Sequence, residues 1–303
     1  MNGPRRRRLF ESRVLPWLLL APAIAVIFGL LLYPIGQVAW LSLREAGLPY
    51  LAGGESRFVG LANYRRLAAD PELRRIFVTT AAFGLSCVAA TMAMGLGVAW
   101  LLTRRFRGRA LVGVLVLLPW AIPRVSAGVL WRWMFHDQYG AVNWALASLG
   151  ATGFEGYPWF NSPLPAFVAI GIVVVWQSFP FIALSLLAGL QTIPSDVMEA
   201  AKIDGATAWQ RTRLIVLPML KPLLLVLIVI STIWDFKIFD QIYILTGGGP
   251  ARRTEVLAFT AYREAFTQSD FGLGSALAMI LFVILIIVTI VYIRLIRDEE
   301  DTR

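Results

Sequence analysis

Histidine and cysteine are almost missing from this 303-residue chain, which has one of each, His136 and Cys87. A single cysteine excludes a disulfide framework and a cysteine metal cage. A single histidine excludes His-based metal sites and Ser-His-Asp triads. No HExxH stretch occurs, so no catalytic residue and no metal ligand is expected. Phosphate-binding glycine loops are missing too: the one glycine cluster, Gly247-Gly248-Gly249-Pro250, lacks the Lys and Ser/Thr that would hold a phosphate, and it reads as a turn. Lysine is rare, with Lys202, Lys221 and Lys237 among 28 basic residues. Charge as a whole is scarce, 16% of residues against about 25% in a soluble domain, while 58% are hydrophobic. That balance excludes disorder and a coiled coil. The net charge of +9 would point to nucleic acid in a soluble protein. Here it is assigned to arginines that keep membrane loops in the cytoplasm, and no nucleic-acid partner is expected.

What is present is long uncharged runs. A membrane-crossing helix needs about 20 mostly apolar residues. Runs of that kind cover 14–43, 76–103, 110–135 (interrupted by Arg124 and Arg132), 156–195 with its densest part at 166–190, 222–245 (carrying Asp235, Lys237 and Asp240) and 271–293. The expected fold is an all-α polytopic membrane protein with six transmembrane helices, in the cytoplasmic (inner) membrane. With the N-terminus inside, sixteen basic residues fall in cytoplasmic pieces and nine in outer loops, which places both termini in the cytoplasm. The 103–110 loop, with Arg104, Arg105, Arg107 and Arg109 and no acid, weighs most. Trp131, Trp133, Phe135 and Tyr139 are expected as an outer aromatic belt. The basic start is like a secretory signal, but its uncharged run exceeds the about 7–15 residues of a signal core, so a retained helix is expected. The chain then divides into a basic tail (1–13), a first transmembrane helix (14–43), an outer segment (44–75), a core (76–296) with a long cytoplasmic loop at 194–222, and a cytoplasmic tail (297–303).

That loop reads PSDVMEAAKIDGATAWQRTRLIVLPMLKP. Ser195 suits a helix N-cap, Asp196 and Glu199 suit the positive end of the dipole, and Gly205 permits a sharp break. A second short amphipathic helix is expected from about Thr207 through Trp209, Leu214 and Ile215 to Leu217-Pro218. Two short helices at an angle fit a knob docked in a protein cleft, and equally a helix lying on lipid headgroups. The loop resembles the EAA loop of permease subunits of bacterial ABC importers: Glu-Ala-Ala, three residues, Gly, nine residues, Ile, one residue, Leu-Pro. Glu199, Ala200, Ala201, Gly205, Ile215, Leu217 and Pro218 match at every spacing. FVGLANYRRL (58–67), LLPWAIPRVSAGVLWRWMF (117–135) and TIWDFKIFDQIYILTGGGP (232–250) are similar to the carbohydrate-uptake, maltose-transporter-type branch.

The resemblance implies a type-I importer permease fold, paired with a second permease subunit as a heterodimer, two ATP-binding subunits and an extracytoplasmic solute-binding protein. ATP and Mg would be bound by the partner ATPase, and no cofactor by this chain. It implies that Glu199 is the anionic contact to the ATP-binding subunit, that Gly205 is the hinge, and that Ala200 and Ala201 allow close approach; Asp204 joins this coupling set with Ile215, Leu217 and Pro218. The solute implied is a carbohydrate, moved by alternating access.

Charges inside a span cost at least about 2.5–3.5 kcal/mol near its centre and are functional candidates. Treated as straight helices, the third and fifth spans put Arg124 about 21 Å and Asp235 about 20 Å in. The two either pair or leave Asp235 facing a polar substrate path. Gln177, Ser178 and Phe181 in the fourth span, with Ser231 and Trp234 beside Asp235, supply the polar and aromatic groups that a sugar requires; helix–helix packing is the alternative for each. Arg132 is expected to snorkel, and Lys237 and Asp240, three apart on one helix face, to neutralise each other. A glycerol-phosphate-like solute is an alternative, with Arg124 facing the anion. An ion-gradient-driven transporter using Asp235 and Asp240 is a remoter one.

Overall fold

The computed structural model describes residues 15–300. The basic tail expected at 1–13, and residues 301–303, lie outside the described residues. Helix dominates, because in lipid each backbone N–H needs an acceptor that a helix finds within its own segment. Five helices are long and apolar enough to cross a membrane, and a bent pair supplies a sixth if counted as one span. The described chain falls into two compact units, residues 15–69 with 261–279, and residues 70–260 with 280–300.

In the first unit, α1 (Leu15–Ile27) and α2 (Tyr33–Ser42) flank a wider turn at Phe28–Leu32. Pro34 has no N–H to give Leu30. The helix inserts one residue there, so that Tyr33 N–H bonds to Phe28 O, five positions back. A two-stranded ribbon follows, β1 (Arg44–Glu45) antiparallel to β2 (Arg57–Phe58), an element absent from the all-helical expectation. Buried Asn63 on α3 (Ala62–Ala69) ties it down, donating to the carbonyls of Ser42 and Arg44 at 2.9 Å each. Phe271 N–H reaches Ala46 O at 2.8 Å. Gly272 lies so close to Arg44 O that a side chain has no room.

The second unit starts with α4 (Pro71–Thr103), earlier than hydropathy alone places it. Asp70 accepts from Glu72 N–H at 2.9 Å, and Pro71 suits a first helical turn. Next come α5 (Arg109–Ala121) and α6 (Arg124–Met134), which meet at 100°. The straight span expected at 110–135 is therefore corrected. Pro123 cannot donate to Pro119 O, and it drives Ile122 to an extended backbone, φ −79° and ψ 129°. After α7 (Ala141–Ser148) and α8 (Pro163–Gln191) come α9 (Ser195–Ile203) and a capped turn, α10 (Ala208–Arg211). The fifth span is also interrupted: α11 (Leu217–Phe236) stops at Lys237, and α12 (Asp240–Leu245) starts after Phe239. Lys237 and Asp240 therefore share no helix face, and the expected neutralisation across one is corrected. The chain ends in α13 (Leu257–Tyr262) and α14 (Phe271–Glu300), so the tail expected from 297 begins as helix.

Lipid is as apolar as leucine, so helices associate where small residues let backbones approach. A Cβ on Gly95 of α4 would lie 2.6 Å from Ile182 Cγ2 of α8; one on Gly84 would meet Phe236 of α11, and one on Gly189 of α8 would meet Leu223. Ala99, Ile182, Leu186 and Leu227 cluster around these contacts. Two members of the expected aromatic belt are corrected: Phe135 is 1% exposed, and the Trp131 ring meets Trp176 at 5.3 Å. The bend at Pro123 turns α6 so that these residues, one turn apart, face the core. Trp133 and Tyr139 do stay exposed.

Candidate functional site

The breaks in the third and fifth spans open onto one cavity of about 400 Å³. Arg124 begins α6 at the first break, Trp234 and Asp235 sit in the last turn of α11 before the second, and α8 supplies Gln177 and Ser178. Gln177 Nε2 donates to Ile122 O, the carbonyl freed where α5 ends, at 3.0 Å. Gln241 of α12 donates through Nε2 to Gln177 Oε1 at 3.0 Å. The two breaks are thus bridged by a pair of glutamines. Broken helices are tolerated at membrane depth where they line a cavity, and that is their position here.

Asp235 is 4% exposed, and its Oδ2 has no hydrogen-bond partner among the described residues. A buried polar atom left without a partner costs about 1–3 kcal/mol. Arg124 is exposed at the rim of the same cavity. No hydrogen bond or ion pair joins the two among the described residues, although both line one space. Phe181 stands just off the lining, with its ring 5.2 Å from Trp234 and 6.2 Å from Trp120. Ser231 lies one turn before Asp235, 1% exposed, with its Oγ unpartnered. So the structure gathers Arg124, Gln177, Ser178, Trp234 and Asp235 on one surface, and keeps Phe181 and Ser231 behind it.

Sequence reasoning missed Gln241, Trp120 and the Ile122 carbonyl. Gln241, a lone amide in an apolar run, was the available signal, but treating the span as straight hid it. Arg132 stays exposed, and its Nη1 also donates to Ile244 O at 2.9 Å, tying α6 to the last turn of α12. Gly128 on the same helix lies against Ile244, which lets the two broken-off segments touch. A larger groove of about 770 Å³ between α4 and α8 holds no charged residue.

The motif loop has a defined shape. α9 ends in a Schellman motif, with Gly205 N–H bonded to Lys202 O at 3.1 Å and Ala206 N–H to Ala201 O at 2.9 Å. Gly205 takes φ +78°, open only to glycine at low cost. Thr207 and Gln210 then form a reciprocal capping box. The expected cap at Ser195 is corrected: Pro194 takes the cap position, and Ser195 Oγ turns to Asp196 Oδ1 at 3.2 Å. The second short helix is not a separate piece. Through a wider turn at Thr212–Val216, where Leu217 N–H bonds to Thr212 O ahead of Pro218, α10 runs directly into α11. Glu199, Ala200, Asp204 and Pro218 are exposed, Ala201 is buried, and Ile215 and Leu217 are half-buried. Ile203, 86% exposed, is the apolar tip.

Residues 90–298 match the family described as binding-protein-dependent transport system inner membrane component. The chain is 37% identical over 300 residues to the trehalose/maltose transport system permease protein MalF of Thermococcus litoralis, covering 99% of each. It is 39% identical over 299 residues to the sulfoquinovosyl glycerol transport system permease protein SmoG of Agrobacterium fabrum, covering 98% of this chain and 96% of that one. In a solved bacterial alginate ABC transporter, in complex with an alginate pentasaccharide-bound periplasmic protein, one chain has the same fold. Its TM-score is 0.79 at 20% identity, with 94% of this chain and 93% of that chain covered.

Proposed function

This chain belongs to the binding-protein-dependent transport system inner membrane component family, and we propose that it is the permease half of an ATP-driven sugar importer in a bacterial cytoplasmic membrane. The observation that carries this reading is one helical path. From Ala208 through the wide turn to Phe236 no break intervenes, so the helix that starts at the motif loop ends at the cavity. At 1.5 Å per residue the path is about 40 Å long, and displacement at Gly205–Thr207 reaches Asp235 as rigid-body motion.

In this reading Glu199 and Asp204 face a separate ATP-binding subunit that holds ATP and Mg. Ala200 and Ala201 permit close approach, Gly205 is the hinge, and Ile215, Leu217 and Pro218 seat the wide turn. Two such subunits close, a second permease completes the pore, and an extracytoplasmic solute-binding protein delivers the solute. Sugar hydroxyls both donate and accept, so one ligand satisfies Asp235 and Arg124 together, while Gln177 and Ser178 orient it. Trp120 and Trp234 supply aromatic faces for its C–H patches, with Phe181 stacked behind them and Ser231 behind Asp235. The named relatives include permeases for trehalose/maltose and for sulfoquinovosyl glycerol, which agrees with a saccharide or sugar derivative. A glycerol-phosphate-like anion is the second reading, supported by Arg124 at the rim.

The test is co-purification with the ATP-binding subunit from the same gene neighbourhood, using wild type and a Glu199→Ala, Gly205→Pro variant. Capture by wild type and at least tenfold loss in the inserted variant supports the reading. Unchanged capture removes the loop as the dock, and no capture by wild type returns the ion-gradient alternative. Uptake assays with neutral sugars and glycerol phosphate then separate the two solute classes.

A further inference from the structure

A second cavity, of about 360 Å³, lies beside the motif loop, between the end of α4 and the start of α10. Trp100, Arg104, Trp209 and Arg211 line it, and no carboxylate does. Among the described residues neither guanidinium has an ion-pair partner. Arg211 spends one N–H on Ala206 O at 2.6 Å, and among the described residues Arg104 makes no side-chain hydrogen bond. Both indole N–H groups are likewise without a protein acceptor among the described residues. The two threonines on the wall turn their hydroxyls to their own helices, Thr103 to Trp100 O at 2.7 Å and Thr212 to Ala208 O at 2.9 Å. Within a mostly apolar lining the cavity therefore presents two guanidinium groups and two indole N–H groups as donors.

Its place at the end of an apolar span narrows the occupant. Trp100 and Thr103 close a 33-residue apolar helix, and Trp209, 65% exposed, and Leu214, 68% exposed, present apolar side chains from the helical path that begins beside it. Cations and indoles at the end of a span sit at headgroup level, where basic pockets between helices take anionic lipid. The geometry points to a binding site for the phosphodiester headgroup of an anionic phospholipid, held by Arg104 and Arg211 with its acyl chains along Trp209 and Leu214. A bound lipid here would touch α10, the start of the helical path to Asp235. The inference needs only a membrane-spanning chain and does not depend on which solute is carried.

The experiment is native mass spectrometry of the full chain, purified in detergent, delipidated and titrated with palmitoyl-oleoyl phosphatidylglycerol or phosphatidylcholine. Wild type is expected to retain phosphatidylglycerol at least fivefold better than phosphatidylcholine. Arg104→Gln with Arg211→Gln is expected to lose that preference, while Arg105→Gln with Arg107→Gln, the same charge change off the lining, stays within twofold of wild type. Should the double variant misfold, Arg104→Gln alone decides, with an expected loss of at least threefold. Equal loss in the off-site pair overturns the site in favour of diffuse charge. Displacement of the lipid by millimolar inorganic phosphate overturns it in favour of a free anion. Exclusion of lipid by a bound ATP-binding subunit overturns it in favour of a protein-covered surface.

Discussion

The unbroken spans α4 and α8 and the broken pairs α5/α6 and α11/α12 all come from long, largely apolar runs, yet they do different work. The unbroken pair packs backbone to backbone through Gly95 and a set of alanines, and half of the apolar window of α8 is buried within the chain. The broken pairs give up continuous hydrogen bonding and gain a polar cavity at the break, where Arg124, Asp235 and Gln241 meet Gln177. A membrane helix that stays whole satisfies its own backbone and can be spent on packing. One that breaks must find outside partners, and those partners become a site.

The largest effect expected from this contrast is on the unbroken side. Gly95→Leu forces a side chain into Ile182, and overpacking of this kind costs about 1–3 kcal/mol or more. Size-exclusion chromatography and thermal melting of the purified chain should show loss of the monodisperse protein. Gly97→Leu on the same helix, with nothing within 4 Å of its Cβ, should be tolerated. Similar behaviour of the two variants would break the comparison.

Asp235→Asn comes next and acts on function alone: assembly and melting should hold while uptake falls at least about tenfold, the loss of one charged ligand contact. A variant that unfolds instead would make Asp235 a packing residue. Gln177→Leu and Gln241→Leu should each cost about 1–3 kcal/mol, because each leaves the other's polar atoms unpaired. The double variant should be markedly less than additive in a thermal-melt cycle, and full additivity would deny the bridge between the breaks. The smallest effect is Arg132→Met, which removes one exposed bond to Ile244 O and should shift stability by about 1 kcal/mol or less.

The motif loop and the cavity were legible to different degrees. Gly205, seven fixed positions and a break before Thr207 are local facts, and the Schellman motif and capping box agree with them. Ser195 failed as a cap because Pro194 already holds the extended conformation that a cap requires. Of the residues chosen for the substrate path, Arg124, Gln177, Ser178, Trp234 and Asp235 meet on the cavity, since charge and amide inside apolar runs are costly and therefore informative. Phe181 and Ser231 fell behind the wall because period alone does not say how far a side chain stands from a neighbouring helix.

Composition and hydropathy by themselves determined that the chain lives in a membrane, roughly where its helices lie, and which loop carries the motif. These follow from transfer free energies and from spacing along one chain. The tertiary structure alone decided that two spans break and that the breaks face each other. It also decided that Arg132 and Gln241 belong to that junction, and that the motif loop runs unbroken into the helix bearing Asp235. Pro123 is a local cause of the first break, passed over when the span was treated as straight; the break at Lys237–Phe239 has no proline, and beyond it α12 packs against α6. Such a choice depends on contacts between residues more than a hundred positions apart in the chain, as between Arg132 and Ile244, and no local pattern encodes it.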